Sequence, residues 1–256
     1  SPRGGDSEGE AVAQAAQAAG VNDQPFTFLD RRTPTYTAIL ERDGNLVIAL
    51  ADMELYRLFS PRRLAIRAVR DAFGSADALL TDANLPDVTL AEICRLASEG
   101  GKPLAAIGIS PAKVVRYQGL LDRFAFLFMN EAEAAALTGQ SPADFRQWPA
   151  IMRGLGLQGG AITRGRQEVI AWKAAESAWL LPPELTAIGD VTGAGDGFAA
   201  GFLHAIFEGQ PLPSALALGV ASARLALASE MATAEELTRE LLMHTLSLVP
   251  AAEIVL

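Results

Sequence analysis

Cysteine is almost missing from this chain. Cys94 stands alone among 256 residues, which excludes a disulfide framework and a cysteine-built metal site and points to a reducing compartment, the cytoplasm. Long apolar runs are lacking too: none reaches the roughly 18 residues that a membrane span needs, so no membrane partner is expected. The opening Ser1-Pro2-Arg3-Gly4-Gly5 has no apolar centre of the kind a secretory signal carries. A net charge of −9, with no dense basic stretch to offset it, argues against nucleic acid as a partner. Arg62, Arg63, Arg67 and Arg70 form the one basic cluster, and their alternation with Leu64, Ile66 and Val69 reads as the wet face of a helix. His204 and His244 have no second ligand at metal-binding spacing, and neither Ser110 nor Ser141 has a histidine or lysine arranged for hydrolase chemistry.

Apolar residues, in contrast, make up 50% of the chain, enough to bury a sizeable core in one large domain or one domain with a small appendage. Glu8–Ala19 reads as a helix stopped by Gly20. Thr35–Leu40 and Leu46–Leu50 are β-rich runs around Arg42-Asp43-Gly44-Asn45, a hairpin signal, so residues 33–52 are expected to form a small antiparallel flap or lid. From residue 60 strands and helices alternate. The helices are expected at Leu64–Phe73, Val88–Ser98, Pro111–Leu120, Glu131–Leu137 and Ala150–Leu155. The strands are expected at Ala78–Thr81, Leu104–Ile109, Phe124–Met129 and Gly160–Thr163, the last followed by a hairpin-like Glu168–Trp172. Ala194–Phe207, Leu212–Ala228 and Ala234–Leu248 complete the chain as helices, with Glu235-Glu236 at the start of the last. This order predicts an α/β fold whose mostly parallel sheet is covered on both faces. Asp82, Asn84, Ser110 and Asn130 all follow predicted strands, where ligands gather in such folds.

The densest chemical signal is Gly189-Asp190-Val191-Thr192-Gly193-Ala194-Gly195-Asp196-Gly197, set just before an apolar helical run. Closely spaced glycines suit a turn whose backbone approaches something tightly, and a helix start offers N–H groups to phosphate. A carboxylate beside an anion site needs a task there, such as accepting a proton from an attacking hydroxyl. The alternative is plain: Asp190 or Asp196 caps the helix, and the glycines belong to an ordinary loop. Asn130 and Glu133 leave a similar choice. They share the first turn of one helix, where an amide and a carboxylate suit hydrated Mg²⁺, or else they form a capping box.

Taken in order, Asn130-x-x-Glu133, Thr163-Arg164-Gly165 and Asp190-Val191-Thr192-Gly193-Ala194-Gly195-Asp196 resemble the ribokinase-like (PfkB) family of carbohydrate and nucleoside kinases. The resemblance runs from about residue 1 to about residue 250. It implies a three-layer α/β/α sandwich with a small β lid, and an enzyme that uses ATP and Mg²⁺, with a monovalent cation as a further candidate. Within the family, Leu50-Ala51-Asp52-Met53, Asp82-Ala83-Asn84-Leu85 and Ser110-Pro111-Ala112-Lys113 look like the pseudouridine-kinase branch.

By that resemblance, Asp196 would be the base for a primary 5′ hydroxyl, and the amides of Gly193, Ala194 and Gly195 would hold the phosphoryl charge. Asn130 and Glu133 would steady Mg²⁺ through its waters. Thr163, Gly165 and Thr192 would line the nucleotide site, with Arg164 a phosphate contact. Asp52, Asn84, Lys113 and Tyr36 would face the acceptor, with Thr35 beside Tyr36 on the lid. The lid strands would also pair two copies into a homodimer. Family members begin with a strand whose aspartate holds sugar hydroxyls, followed by a Gly-Gly stretch; this sequence is expected to start after both, so Gly4-Gly5 is not that pair. Ser229–Thr233 is likewise shorter than the family's loop near the adenine. The rival readings are a kinase of ribose, a fructose-like sugar or adenosine, and a catalytically silent nucleotide-binding relative.

Overall fold

Local signals place the elements of a first unit that comprises Ser1–Ser75 and Asn84–Ile93. The computed structural model describes residues 1–40, 46–185, 189, 191–229, 231–234 and 236–255. The segment read as a polar start opens with strand β1 (Pro2–Gly4), which pairs in parallel with β2 (Phe26–Phe28) across helix α1 (Ser7–Ala18). Three-residue strands carry too little pattern to be seen in sequence. Asp6 caps α1 by accepting from the Gly9 amide at 3.0 Å, and it also accepts from the Thr33 amide at 2.8 Å. Strands β3 (Thr35–Leu40) and β4 (Leu46–Asp52) form the expected antiparallel ribbon. The predicted turn Arg42-Asp43-Gly44-Asn45 lies outside the described residues.

The helix predicted over 64–73 is two helices, α2 (Pro61–Leu64) and α3 (Arg67–Ser75). Leu64 is buried, and the Arg63 guanidinium lies 5.3 and 5.1 Å from the Phe26 and Phe28 ring centres. Arg63 is therefore only partly solvated, whereas α3 buries none of its side chains.

The second unit comprises Ala76–Ala83 and Cys94–Leu256. Its strands are β5 (Leu79–Asp82), β6 (Leu104–Ile107), β7 (Phe126–Asn130), β8 (Gly159–Thr163), β9 (Val169–Lys173), β10 (Glu176–Leu180) and β11 (Glu253–Ile254). They lie in the order β11-β10-β9-β8-β7-β6-β5. β5 through β8 are parallel, and β9, β10 and β11 extend the sheet antiparallel. β10 and β11 were not expected: Glu176–Leu180 follows a two-residue turn and gains its partners only from β9 and β11. Helix α4 (Asp87–Glu99) runs through the boundary between the units.

The remaining helices are α5 (Pro111–Val114), α6 (Glu131–Thr138), α7 (Trp148–Gly154), α8 (Ala194–Phe207), α9 (Leu212–Ala228) and α10 (Arg239–Leu246). α5 is shorter than predicted because the chain tightens into a 3₁₀ turn at Val115–Tyr117. α10 begins later than predicted, since the Thr238 hydroxyl caps it by accepting from the Leu241 amide at 3.1 Å.

Burial explains the layering. Phe126 and Phe128 of β7 pack edge-on against Phe202 of α8 with ring centres 5.6 and 5.4 Å apart, and Phe128 meets Phe198 at 6.2 Å. Aromatic pairs of this geometry add to the stabilisation from area burial alone. Phe198, nearer the start of α8, meets only the later of the two strand phenylalanines. The helix thus runs antiparallel to β7 and begins over the carboxyl end of that strand. α9 packs closely on α8 because Gly201 leaves room: a Cβ there would stand 2.7 Å from the Leu218 carbonyl oxygen and the Ser222 Cβ. Among the described residues no helix is long and apolar enough to cross a membrane.

Candidate active site

Parallel strands deliver Asp82, Asn130 and Thr163 as their last residues, at the same edge of the sheet. Asn130 and Thr163 are direct partners in the β7–β8 register, so two of the predicted nucleotide-side residues are neighbours by topology. Asn130 also starts α6. Its side-chain oxygen accepts from the Glu133 amide at 2.9 Å, while the Glu133 carboxylate accepts from the Asn130 amide and from Asn130 Nδ2, both at 3.0 Å. The capping alternative is thus what the side chains do, and it fixes Glu133 in a buried position. Burial raises the Glu133 carboxyl above the usual range, and the two bonds from Asn130 oppose that shift. Each carboxylate oxygen accepts one hydrogen bond and retains a lone pair.

The glycine-rich motif is built in the opposite way. Gly193 has φ +78° and precedes α8 as its N-cap residue, so the cap position itself brings no side chain to the first turn. A Cβ on Gly193 would stand 1.8 Å from the Ala232 carbonyl oxygen, so the backbone of this turn lies directly against Ala232 in the loop after α9. That loop closes on itself through the Ser229 hydroxyl, which donates to the Thr233 carbonyl at 3.1 Å and accepts from the Met231 amide at 3.1 Å. On the other side, the Gly189 amide donates to the Leu227 carbonyl at 2.8 Å, anchoring the motif to α9. Asp190 lies outside the described residues, so its predicted capping role has no structural account.

Asp196 sits in the first turn of α8 with part of its surface open to solvent. Desolvation by its surroundings, with the charge of Asp82 second, raises its carboxyl above the ordinary aspartate range. Asp82 also acts on Lys113, whose partly buried ammonium is lowered by desolvation and by Arg116 and pulled back up by Asp82. Asp82, Lys113 and Asp196 therefore share one electrostatic neighbourhood at the carboxyl edge of the sheet. The sequence marked Asp82 only as a polar strand end; its influence on Asp196 comes from contacts between elements far apart in the chain.

Gly165 has φ +61° in the turn after β8. Beside it the Arg164 guanidinium is engaged with protein carboxylates, 2.6 Å from Glu168 and 3.7 Å from Glu131, and lies over the Phe145 ring at 4.6 Å. Thr192, Ala194 and Gly195 fall in the same α8 entry. Tyr36 and Asp52 on the ribbon, with Asn84, belong to the first unit. Among the described residues no three histidine, cysteine, aspartate or glutamate side chains converge as a metal cage.

Comparison with known proteins gives this architecture its relatives. Residues 1–239 match the pattern described as pfkB family carbohydrate kinase. A carbohydrate kinase from Agrobacterium tumefaciens of known structure is 56% identical with a TM-score of 0.87, the match covering 99% of this chain and 81% of that one. The uncharacterized sugar kinase YeiI of Escherichia coli is 29% identical, covering 96% of this chain and 67% of its own. The pseudouridine kinase of the same bacterium is 25% identical, covering 98% and 79%.

Proposed function

From the premise that this chain belongs to the pfkB family of carbohydrate kinases and is an ATP-dependent kinase of a sugar or nucleoside, we propose that its acceptor is pseudouridine, phosphorylated on the 5′ hydroxyl. The observation that carries the reading is the left-handed glycine that opens α8, with Asp196 in the first turn of the helix. Asp196 would take the proton of the attacking hydroxyl, and its raised carboxyl makes it a better acceptor than an ordinary aspartate. The amides of Gly193, Ala194 and Gly195 would hold the charge that develops on the transferring group. Lys113, with Asp52, Asn84 and Tyr36, would bind and orient the nucleoside, which matters because phosphoryl transfer rests on alignment more than on covalent help. The similarity to a pseudouridine kinase along nearly the whole chain favours this acceptor.

Asn130 and Glu133 fit Mg²⁺: both supply oxygen donors, and a buried carboxylate with lone pairs to spare is compensated by a hydrated cation. When bound, Mg²⁺ neutralises the charge of the nucleotide phosphates. Thr163, Gly165 and Thr192 would line the nucleotide, and a monovalent cation is a further candidate ligand. The ribbon leaves Tyr36, Ile39, Val47, Ile48 and Leu50 exposed, so a second copy would cover it; a monomer in solution scattering at micromolar concentration would reject that dimer.

ADP release measured against pseudouridine, uridine, adenosine, ribose and fructose tests the acceptor. Pseudouridine should turn over with the highest kcat/KM. Turnover with a free sugar alone would overturn the assignment, and ATP binding without turnover on any acceptor would mark a silent relative.

A further inference from the structure

Two described non-glycine residues have a left-handed backbone, Ala174 at φ +51° and Ile109 at φ +71°. Ala174 occupies the two-residue turn between β9 and β10, where such a conformation is the rule for tight hairpins. Ile109 has no such excuse. A β-branched residue in this region is a true outlier, and here the Ser110 amide donates to the Gly108 carbonyl at 2.9 Å, closing a three-residue γ-turn of the strained hand. Its side chain is 38% exposed, so packing does not account for it.

The flanks hold the turn in place. Before it, the Ile107 carbonyl accepts from the Tyr117 hydroxyl at 3.0 Å and from the Ala83 amide at 3.2 Å, and the Gly108 amide donates to Phe128 at 2.9 Å. Gly108 also lies against the Glu133 carboxylate, where a Cβ would come within 2.6 Å of an oxygen. After it, Pro111 opens α5, and the Lys113 and Val114 amides both donate to the Ser110 carbonyl, at 3.0 and 2.9 Å, with Val114 fully buried. Strain of this kind survives only where its surroundings over-determine it, and it concentrates at functional sites.

We infer that Ile109 is a positioning residue: its left-handed turn redirects the chain at the end of β6 so that α5 starts at once and carries Lys113, whose amide is tied to Ser110, while Gly108 stays seated on Glu133. This rests on the reading of Lys113 as an acceptor-side residue. The fixed turn is the means of the redirection, so a residue that frees it loosens the lysine, whereas one that holds the same turn with less strain does not.

Three variants test this. Glycine and asparagine tolerate the left-handed region, whereas alanine does not. Ile109→Gly and Ile109→Asn should both melt above Ile109→Ala; an alanine variant at or above them would show that no strained turn exists. Ile109→Gly frees the turn, and its KM for the acceptor should rise about fivefold with the KM for ATP unchanged, as expected for a loss of uniform binding on one substrate only. Ile109→Asn, which holds the turn, should keep the wild-type value.

The titration of Lys113, followed by acetic anhydride labelling and peptide mass spectrometry with Lys102 and Lys173 as internal references, should move back up in Ile109→Gly and stay put in Ile109→Asn. An unchanged acceptor KM and lysine titration in Ile109→Gly would overturn the inference, as would an Ile109→Asn variant impaired like the glycine one. If the wild type phosphorylates no acceptor, the proposed function falls, while melting order and labelling still judge the turn.

Discussion

The two helix starts at this sheet edge are opposites. α6 is closed by its own side chains: Asn130 and Glu133 satisfy each other and the first backbone amides, and Glu133 is buried in the process. α8 is entered through a left-handed glycine, which has no side chain of its own to offer the first amides, and carries an aspartate in its first turn that remains in contact with solvent. A capping box stabilises a helix by meeting donors that would otherwise need water. A start without one must find partners for its amides elsewhere, and an anion is one such partner. The difference teaches that side chains alone can fix a helix start, whereas a start with a glycine at the cap position depends on other groups, and in the proposed function on the substrate, to meet its amides.

The sharpest way to break this comparison is Asp196→Asn. In the proposed role of base, Asp196 should contribute on the order of 10²–10⁴-fold to kcat, with the KM for ATP little changed. Stability should move the other way. The folded carboxyl lies above its unfolded value, so the native state binds more protons in the window between them and loses stability as pH rises through it. Removing the charge abolishes that loss, and the melting temperature at neutral pH should hold or rise. In the wild type, kcat should fall as pH drops through a value above the ordinary aspartate range. Asp82→Asn should move that acid limb to lower pH. A fully active Asp196→Asn enzyme would end the assignment.

Gly193→Ala attacks the open start from the backbone. The new Cβ faces the Ala232 carbonyl at 1.8 Å and a left-handed φ, so the turn must shift. Destabilisation above about 1 kcal/mol is expected, read by urea denaturation, together with a loss of turnover. Unchanged turnover would mean that the amides of this turn play no part.

Asn130→Ala probes the closed start. Loss of the cap should cost about 1 kcal/mol, and Glu133 also loses its bond from Asn130 Nδ2. The Mg²⁺ concentration for half-maximal rate should rise; an unmoved Mg²⁺ dependence would leave the pair a cap and nothing more.

Much of this contrast was legible in the chain. The glycines around Asp196 and the three-residue spacing of Asn130 and Glu133 are local facts, and both motifs fall at helix starts as read. The parallel strands were legible as well, because each is a short apolar run ended by a polar residue. What escaped depended on partners far away in sequence. β10 is a strand because β9 and β11 flank it, and Arg63 is partly covered because its guanidinium lies over Phe26 and Phe28. The packing of Ala232 on Gly193 and the left-handed Ile109 are consequences of tertiary anchoring, for which no residue pattern stands.

Arg164 gives the finest test, because it sits between the two starts in sequence order and belongs by its contacts to the closed one. Its guanidinium joins Glu131, the first residue of α6, to Glu168. An arginine fork serves two carboxylates at once, whereas a lysine is a single point charge. Arg164→Lys should therefore cost little, roughly 0.2–1 kcal/mol for a pair that is partly exposed. The KM for ATP should stay within about threefold of the wild type, with no added dependence on salt. If Arg164 instead left its carboxylates to meet the phosphates, the variant would lose ATP affinity more than about tenfold, and the loss would depend on ionic strength as a phosphate contact does. That outcome would move Arg164 from the self-satisfied side of the comparison to the open one.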